Sequence, residues 1–252
     1  MKHLDLFSGI GGFALAARWM GWQTVQFVEI DSFCQKVLNK NFPNVPIHGD
    51  IKTFNGEQYR GTIDILTGGF PCQPFSKAGK REGSKDSRFL WPEMRRVIQE
   101  IEPSVVIAEN VPGILRREDG LAFEQICVEM EDLNYQVWPT IIPASGVGSW
   151  HRRDRVWITC AKTYPLNTNT NGFGSHRKKV HKQRSVELRN EQICLPGPLV
   201  SKDVRYGTDP RVFRNINGLP DRVDRIKSLG NAIVPQVAFE IFKAIKLTYE
   251  AP

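Results

Sequence analysis

The sequence has few cysteines and no long apolar run, and each scarcity excludes something. Its five cysteines are Cys34, Cys72, Cys127, Cys160 and Cys194. The number is odd and no two stand in a Cys-x-x-Cys pair, which argues against a zinc or dithiol site and for reduced thiols. Four of them fit as small buried hydrophobes, Cys72 does not, and no metal is expected. No window approaches the roughly 18 uncharged apolar residues of a membrane span. The opening Met1-Lys2-His3-Leu4-Asp5 also meets an acid before any apolar stretch, unlike a secretion signal. A soluble, cytoplasmic protein with no membrane partner is the expectation. Hydrophobic residues make up 40% and charged residues 24% of the 252, ordinary globular usage that disfavours disorder, collagen-like repeats and a pure coiled coil. That length holds one large domain, or a medium one with a small companion.

Acidic charge is scarce in one place only. Residues 1–150 carry 15 basic and 18 acidic side chains, residues 151–227 carry 17 and 7, and residues 228–252 carry 2 and 2. The net +7 is therefore a near-neutral body with a +10 stretch late in the chain. Charge of that density suits a polyanion, most commonly nucleic acid.

Up to about residue 160, short apolar runs alternate with helical periodicity. Strands are predicted at His3 to Phe7, Thr24 to Glu29, Ile63 to Thr67, Val105 to Ala108, Val137 to Ile142 and Val156 to Cys160. Helices are predicted at Phe13 to Met20, Ser32 to Asn41, Pro92 to Ile101 and Gly120 to Leu133, with Asp31 as an N-cap and Pro92 in a first turn. The alternation predicts a doubly wound, mostly parallel α/β sheet with its ligands at the carboxyl ends of the strands. From Thr163 to Leu219 the pattern gives way to Asn, Thr, Gly, Pro and basic residues. Val234 to Leu247 then resumes a helix with Val237, Ile241 and Ile245 on one face. The expected division is 1–162 for catalysis and cofactor binding, 163–227 as a small irregular region, and 228–252 as a segment packing back on the first.

Three strand ends carry chemistry. The first opens into Phe7-Ser8-Gly9-Ile10-Gly11-Gly12-Phe13, a glycine-rich turn that lets a ligand approach the backbone; Glu29 follows Gly9 by 20 residues, a spacing that suits a ribose. Asp50, after the next extended segment, could meet an adenine amino group. Dinucleotides, flavins and S-adenosylmethionine all use such a turn. The second is Gly68-Gly69-Phe70-Pro71-Cys72-Gln73-Pro74-Phe75-Ser76, which sets a cysteine between two prolines ahead of Lys77, Lys80, Arg81, Lys85 and Arg88. A nucleophilic thiolate wants partial exposure and nearby cations. The third, Glu109-Asn110-Val111-Pro112-Gly113, brings a carboxyl group to the same edge. The last strand is preceded by the basic cluster His151-Arg152-Arg153-Asp154-Arg155.

In this order and over nearly the whole chain, these segments resemble the cytosine-5 DNA methyltransferases of bacterial or phage type. Asp5 to Phe13 resembles the family's cofactor loop, Pro71 to Ser76 its nucleophile loop, Glu109-Asn110-Val111 its third signature, and Arg153-Asp154-Arg155 its Arg-x-Arg motif. Gly230-Asn231-Ala232-Ile233-Val234-Pro235 is similar to the late motif that returns to the cofactor. The sequence departs from the family at His151, where glutamine is usual, and in the short stretch between the last two motifs.

The resemblance implies a Rossmann-like methyltransferase fold and a sequence-specific DNA cytosine-5 methyltransferase with a small target-recognition region. S-adenosylmethionine would meet Phe7, Gly9, Gly11, Gly12, Glu29, Ile30, Asp50, Ile51, Phe70, Pro71, Leu90, Asn231 and Ala232. Cys72 would add to carbon 6 of a flipped-out cytosine, Glu109 would serve nitrogen 3, and Arg153 and Arg155 would bind the carbonyl oxygen. Gln73, Ser76, Lys77, Lys80, Arg81 and Asn110 would contact the double-stranded DNA, with residues 77–88 as a loop closing over it. A cognate restriction endonuclease is a further expected partner, and the chain is expected to be monomeric. Two alternatives stand beside this reading. A tRNA methyltransferase of the same lineage would carry Cys-Phe-Thr where this sequence has Ile193-Cys194-Leu195. A catalytically silent DNA-binding homologue would be expected to lack one of Cys72, Glu109, Arg153 or Arg155, and all four are present.

Overall fold

Val105 to Asn110 is buried at every residue, as a strand must be when helices cover both faces of a parallel sheet. The computed structural model describes residues 1–71, 89–163 and 222–249. In chain order these form β1 (Lys2–Leu6), α1 (Gly12–Trp19), β2 (Gln23–Val28), α2 (Ser32–Asn41), β3 (Ile47–His48), β4 (Ile65–Gly68), α3 (Trp91–Ile101), β5 (Val105–Asn110), α4 (Leu121–Asp132), β6 (Tyr135–Pro143), β7 (Asp154–Lys162), α5 (Arg222–Asn231) and α6 (Pro235–Tyr249).

The strands make one sheet in the order β3-β2-β1-β4-β5-β7-β6. It is parallel from β3 to β5, and β7 runs antiparallel to both β5 and β6. The order reverses between β1 and β4, so the crevice where a doubly wound sheet binds its ligand lies beyond Leu6 and Gly68. Alternate residues of β5 separate the two layers of core. Val106 and Ala108 join Met94, Val97, Ile98, Ile126 and Met130 of α3 and α4. Val105 and Ile107 join Phe13, Ala16 and Ala17 of α1 and Val237, Ala238 and Phe242 of α6. The closing helix thus packs on the first domain with Val237, Phe242 and Ile245 inward and Ile241 partly buried against them.

The predicted elements are present, with differences at their ends. Ile63 and Asp64 precede β4, and there the Asp64 carboxylate accepts the Lys2 backbone N–H at 2.6 Å. Strands β6 and β7 extend past their apolar centres because antiparallel pairing continues from Tyr135↔Lys162 to Pro143↔Asp154. Asp31 caps α2 as expected, accepting from the N–H groups of Phe33 and Cys34 at 3.0 and 3.1 Å. Helix α5 was not expected. Val223 and Leu229 are exposed while Ser228 is buried, so the apolar spacing of its sequence does not mark the side that packs.

One central strand carries polar side chains into the core. On β1, His3 and Asp5 are fully buried between Thr24 of β2 and Thr67 of β4. The Thr67 hydroxyl donates to Asp5 Oδ1 at 2.6 Å and so accepts from His3 Nε2 at 2.8 Å, while His3 Nδ1 meets Thr24 Oγ1 at 2.9 Å. Burial lowers the His3 pKa to about 3, keeping the ring neutral, and raises that of Asp5 to about 8.

Candidate active site

The turn from β1 into α1 holds three left-handed residues in five: Phe7 at φ 51°, Gly9 at 53° and Gly11 at 87°. Glycine adopts this backbone freely and phenylalanine does not, so strain is concentrated at Phe7. Nothing lies within 4 Å of where a Gly9 Cβ would sit, leaving open space above the loop. The buried Glu29 carboxylate fastens the turn, one oxygen accepting the Gly9 N–H at 2.6 Å and the other the Asp31 N–H at 2.8 Å. Burial raises its pKa and these backbone donors oppose the rise. A carboxylate can accept about four hydrogen bonds in all, so Glu29 retains capacity for a sugar hydroxyl. Next to it Ile30 is 73% exposed, a large apolar side chain with one face open. The Asp50 side chain accepts the Lys52 N–H at 2.9 Å, and Ile51 is buried behind it. Open glycine backbone, a buried acid and an uncovered apolar side chain fit an S-adenosyl group.

A second cluster sits where β4 and β5 end and β7 begins. Arg155 Nε lies 2.8 Å from Glu109 Oε1, with both side chains largely buried. Burial pushes the Glu109 pKa to about 7 against the opposing pull of Arg155 and then Arg153. Its other oxygen, Oε2, faces Gly69, where an added Cβ would stand 3.4 Å away. The carboxyl group therefore looks toward the chain leaving β4, two residues before Pro71. Asn110 ties the same two strand ends together: its amide donates to the Phe70 carbonyl at 2.9 Å and its oxygen accepts the Val111 N–H at 2.8 Å. Asn110, which the resemblance also assigns to holding this loop, spends its side chain on the backbone of the junction. Phe70 is buried against Trp91, with ring centroids 5.3 Å apart, and Leu90 packs on the same core.

The C-terminal segment joins the two clusters. Ile233 presses on the first residue of α1 so closely that a Cβ on Gly12 would lie 2.6 Å from its Cγ1. Lys227 pairs with Asp31 at 2.9 Å and Ser228 Oγ lies 3.5 Å from Cys34 Sγ, both at the start of α2 beside Glu29. Arg153, just before β7 at φ 40°, donates from Nη2 to the carbonyls of Gly230 and Ala232 at 2.6 and 2.7 Å. Desolvation lowers its pKa, and the neighbouring Arg155 adds to that effect. Asn231 is exposed between the two bonded carbonyls. His151 packs edge-on to Trp150 with ring centroids 5.2 Å apart, and its Nδ1 is 3.1 Å from Ser149 Oγ.

Cys72, Gln73, Ser76, Lys77, Lys80 and Arg81 lie outside the described residues, as do Cys194 and the expected closing loop. The structure brings together Glu109, Arg155, Arg153, Asn231 and Ala232 on one side and Phe7, Gly9, Glu29 and Ile30 on the other. Sequence reading missed Lys227 and Ser228. Their only signal was proximity to the late motif, which says nothing of the partner each takes. Among the described residues no group of three or more His, Cys, Asp or Glu side chains could hold a metal ion. Among the same residues no helix is long and apolar enough to cross a membrane.

Sheet order and strand-end chemistry together define the fold class of S-adenosylmethionine-dependent methyltransferases. Solved structures agree. One is a proposed DNA modification methyltransferase encoded within an Escherichia coli prophage, with 30% identity and a TM-score of 0.56 over 64% of this chain and 47% of that one. Schizosaccharomyces pombe Dnmt2, at 21% identity, shares the fold with a TM-score of 0.55 over 66% of this chain and 52% of that one. The family model of C-5 cytosine-specific DNA methylases matches residues 1–209, and the chain belongs to that family. It is 40% identical over 163 residues to the Type II methyltransferase M.Eco47II of Escherichia coli, spanning 63% of this chain and 39% of that protein. It is 36% identical over 161 residues to M.HhaI of Haemophilus parahaemolyticus, spanning 64% and 49%, and 35% identical over 242 residues to M.HgiBI of Herpetosiphon aurantiacus, spanning 96% and 52%. The chain thus spans about half the length of these relatives or less.

Proposed function

We propose that this chain transfers a methyl group to carbon 5 of cytosine in double-stranded DNA. The observation that carries the proposal is the buried Glu109, with its pKa raised to about 7 and paired to Arg155, at the strand ends beside the Glu29-fastened glycine loop. When bound, S-adenosylmethionine supplies an electrophilic methyl group on a sulfonium sulfur. The glycine loop, Glu29 and Ile30 hold that group, and Asp50, Ile51, Phe70, Pro71 and Leu90 border its base.

Carbon 5 of cytosine is a weak nucleophile until another nucleophile adds at carbon 6. The Cys72 thiolate serves as that nucleophile. Its bond to carbon 6 pushes an electron pair toward the ring, where negative charge gathers on nitrogen 3. Glu109, able to keep a proton near neutral pH, donates it there. Arg155 binds the carbonyl oxygen and stabilises the same charge. Carbon 5, now nucleophilic, gains the methyl group; loss of its proton to a base then expels the Cys72 thiolate, nitrogen 3 returns its proton to Glu109, and aromaticity is restored. A stacked base cannot reach these groups, so the cytosine is turned out of the helix at a cost of a few kcal/mol.

The division of labour follows the sequence: residues 1–162 for cofactor and chemistry, 163–227 for target recognition, and 228–252 closing the cofactor site. Gln73, Ser76, Lys77, Lys80 and Arg81 contact the DNA around the target. The enzyme acts as a monomer in the cytoplasm, alongside a cognate restriction endonuclease. The experiment is transfer of labelled methyl groups to duplex DNA by wild type and Cys72→Ser. Wild type should label cytosine at carbon 5, while the variant should label nothing yet still bind S-adenosylhomocysteine. Full transfer by Cys72→Ser, or labelling of tRNA in place of duplex DNA, would overturn the proposal.

A further inference from the structure

We propose that Arg153 is a positioning residue for the cofactor-facing C-terminal segment, and that Arg155 alone of the pair serves the base. The inference rests on the methyltransferase reading above, since it assigns the two arginines of one motif to two different ligands.

Residues 153 and 155 would share a face if both lay in the strand. Arg153 instead lies one residue before β7 with φ 40°, a left-handed backbone that arginine seldom adopts. Its guanidinium reaches across the sheet edge to the carbonyls of Gly230 and Ala232. A guanidinium Nη2 carries two hydrogens, and both are used. These carbonyls close the last turn of the ten-residue helix α5, where the partial negative charge of the helix dipole favours a cation and end carbonyls need donors from outside. Arg153 therefore caps α5 from a distant part of the chain. Between the two bonded carbonyls stands Asn231, and directly after them Ile233 presses on Gly12 in the glycine turn. Toward the other side, the Arg153 charge is felt by Glu109 and Arg155. One side chain thus braces the wall of the cofactor site from within the base-binding cluster.

The test compares Arg153→Ala, Arg153→Lys and Arg155→Ala in the intact chain. Three quantities are read: calorimetric binding of S-adenosylhomocysteine without DNA, amide hydrogen exchange of residues 228–234 without cofactor, and single-turnover transfer at saturating cofactor. Arg153→Ala should weaken S-adenosylhomocysteine binding at least tenfold and speed exchange in 228–234 at least tenfold. The amides of β5 should stay protected, and transfer at saturation should remain within about threefold of wild type. Arg153→Lys should recover part of both losses, because an ammonium still reaches a carbonyl. Arg155→Ala should do the reverse, with binding and exchange unchanged and transfer strongly reduced. Wild-type binding and exchange in Arg153→Ala would overturn the proposal. So would loss of β5 protection in both Arg153 variants, which would make the residue a general structural support. If wild type binds S-adenosylhomocysteine but labels no cytosine, the methyltransferase reading fails while the exchange and binding data still decide the role of Arg153.

Discussion

Glu109 and Arg155 come from neighbouring antiparallel strands, Oε1 to Nε 2.8 Å, on a diagonal across the Asn110↔Val156 pair of the β5–β7 ladder. The pair is close enough to keep Glu109 ionised if it stood in water, yet burial outweighs the attraction and raises the carboxyl pKa to about 7. A group in that state can hold a proton for nitrogen 3 at neutral pH and release it afterwards. The rate of methyl transfer at saturating cofactor should therefore fall as pH rises through about 7. Glu109→Gln should lower the rate by about 10²- to 10⁴-fold, the usual contribution of general acid catalysis, and should remove that limb of the profile. A profile of unchanged shape in the glutamine variant would show that another group titrates.

The His3–Thr67–Asp5 chain predicts how stability depends on pH. Asp5 has a folded pKa raised from 3.8 to about 8, so its contribution is complete below 3.8 and is lost as pH rises through 8. His3 has a folded pKa lowered from 6.5 to about 3, so its contribution is complete above 6.5 and is lost as pH falls toward 3. Between about pH 4 and 6.5 the two slopes oppose each other. Above 6.5 the Asp5 slope stands alone in this network, at about 1.4 kcal/mol per pH unit. Glu109, raised from 4.5 to about 7, adds a loss of the same sign up to pH 7. The urea midpoint should fall from pH 6.5 to 8, and Asp5→Asn should flatten that fall. An equal slope in the variant would remove Asp5 as its source.

Thr67→Val tests the same chain by geometry. Valine keeps the shape and removes the hydroxyl, leaving Asp5 Oδ1 and His3 Nε2 without their shared partner in a fully buried place. Each such orphan costs about 1–3 kcal/mol, so a loss of about 2–4 kcal/mol in unfolding free energy is expected from denaturant titration. A loss below about 1 kcal/mol would mean the two side chains find other partners.

What was legible in the sequence is what is local in sequence. The glycine turn with Glu29, the Glu109 strand end and the helix cap at Asp31 each declare themselves within a short window, because strand ends and caps use nearby residues. The doubly wound sheet follows from the same local alternation. Three features were not legible, and each pairs groups far apart in the chain. Thr67 bridges two residues of β1 more than sixty positions earlier. Gly12 is small because of Ile233, and Arg153 turns toward Gly230 and Ala232. A motif names residue types at strand ends; it does not say that one of its two arginines will leave the strand. The two-residue strand β3 is too short for periodicity to show, and helix α5 buries Ser228 while exposing Val223 and Leu229, against its apolar spacing.

The contact between Gly12 and Ile233 gives a reciprocal prediction. Gly12→Ala places a methyl group 2.6 Å from Ile233 Cγ1, and one of the two must move. Overpacking of this kind costs about 1–3 kcal/mol. Because Ile233 follows Ala232, the displacement should also weaken S-adenosylhomocysteine binding. Gly12→Ala combined with Ile233→Ala removes the clashing carbon and should recover binding beyond what either single change would predict. Additive losses in the double variant would show that the alanine harms the turn by some route other than this contact.

The charge partition makes the last prediction. Residues 151–227 carry 17 basic against 7 acidic side chains. If this stretch grips the duplex, DNA binding releases counterions, and about six phosphate contacts would lower affinity about 10³-fold between 50 and 200 mM salt. If S-adenosylhomocysteine meets glycine backbone and one buried acid, as proposed, its affinity should change by less than about threefold over the same range. Replacing Lys178 and Lys179 by glutamine should reduce the slope of log affinity against log salt by about 2 if both meet phosphates, leaving cofactor affinity as it was. Filter binding across a salt series, with calorimetry for S-adenosylhomocysteine, measures both. Equal salt dependence for the two ligands would detach the basic stretch from DNA and move the interface elsewhere on the sheet edge.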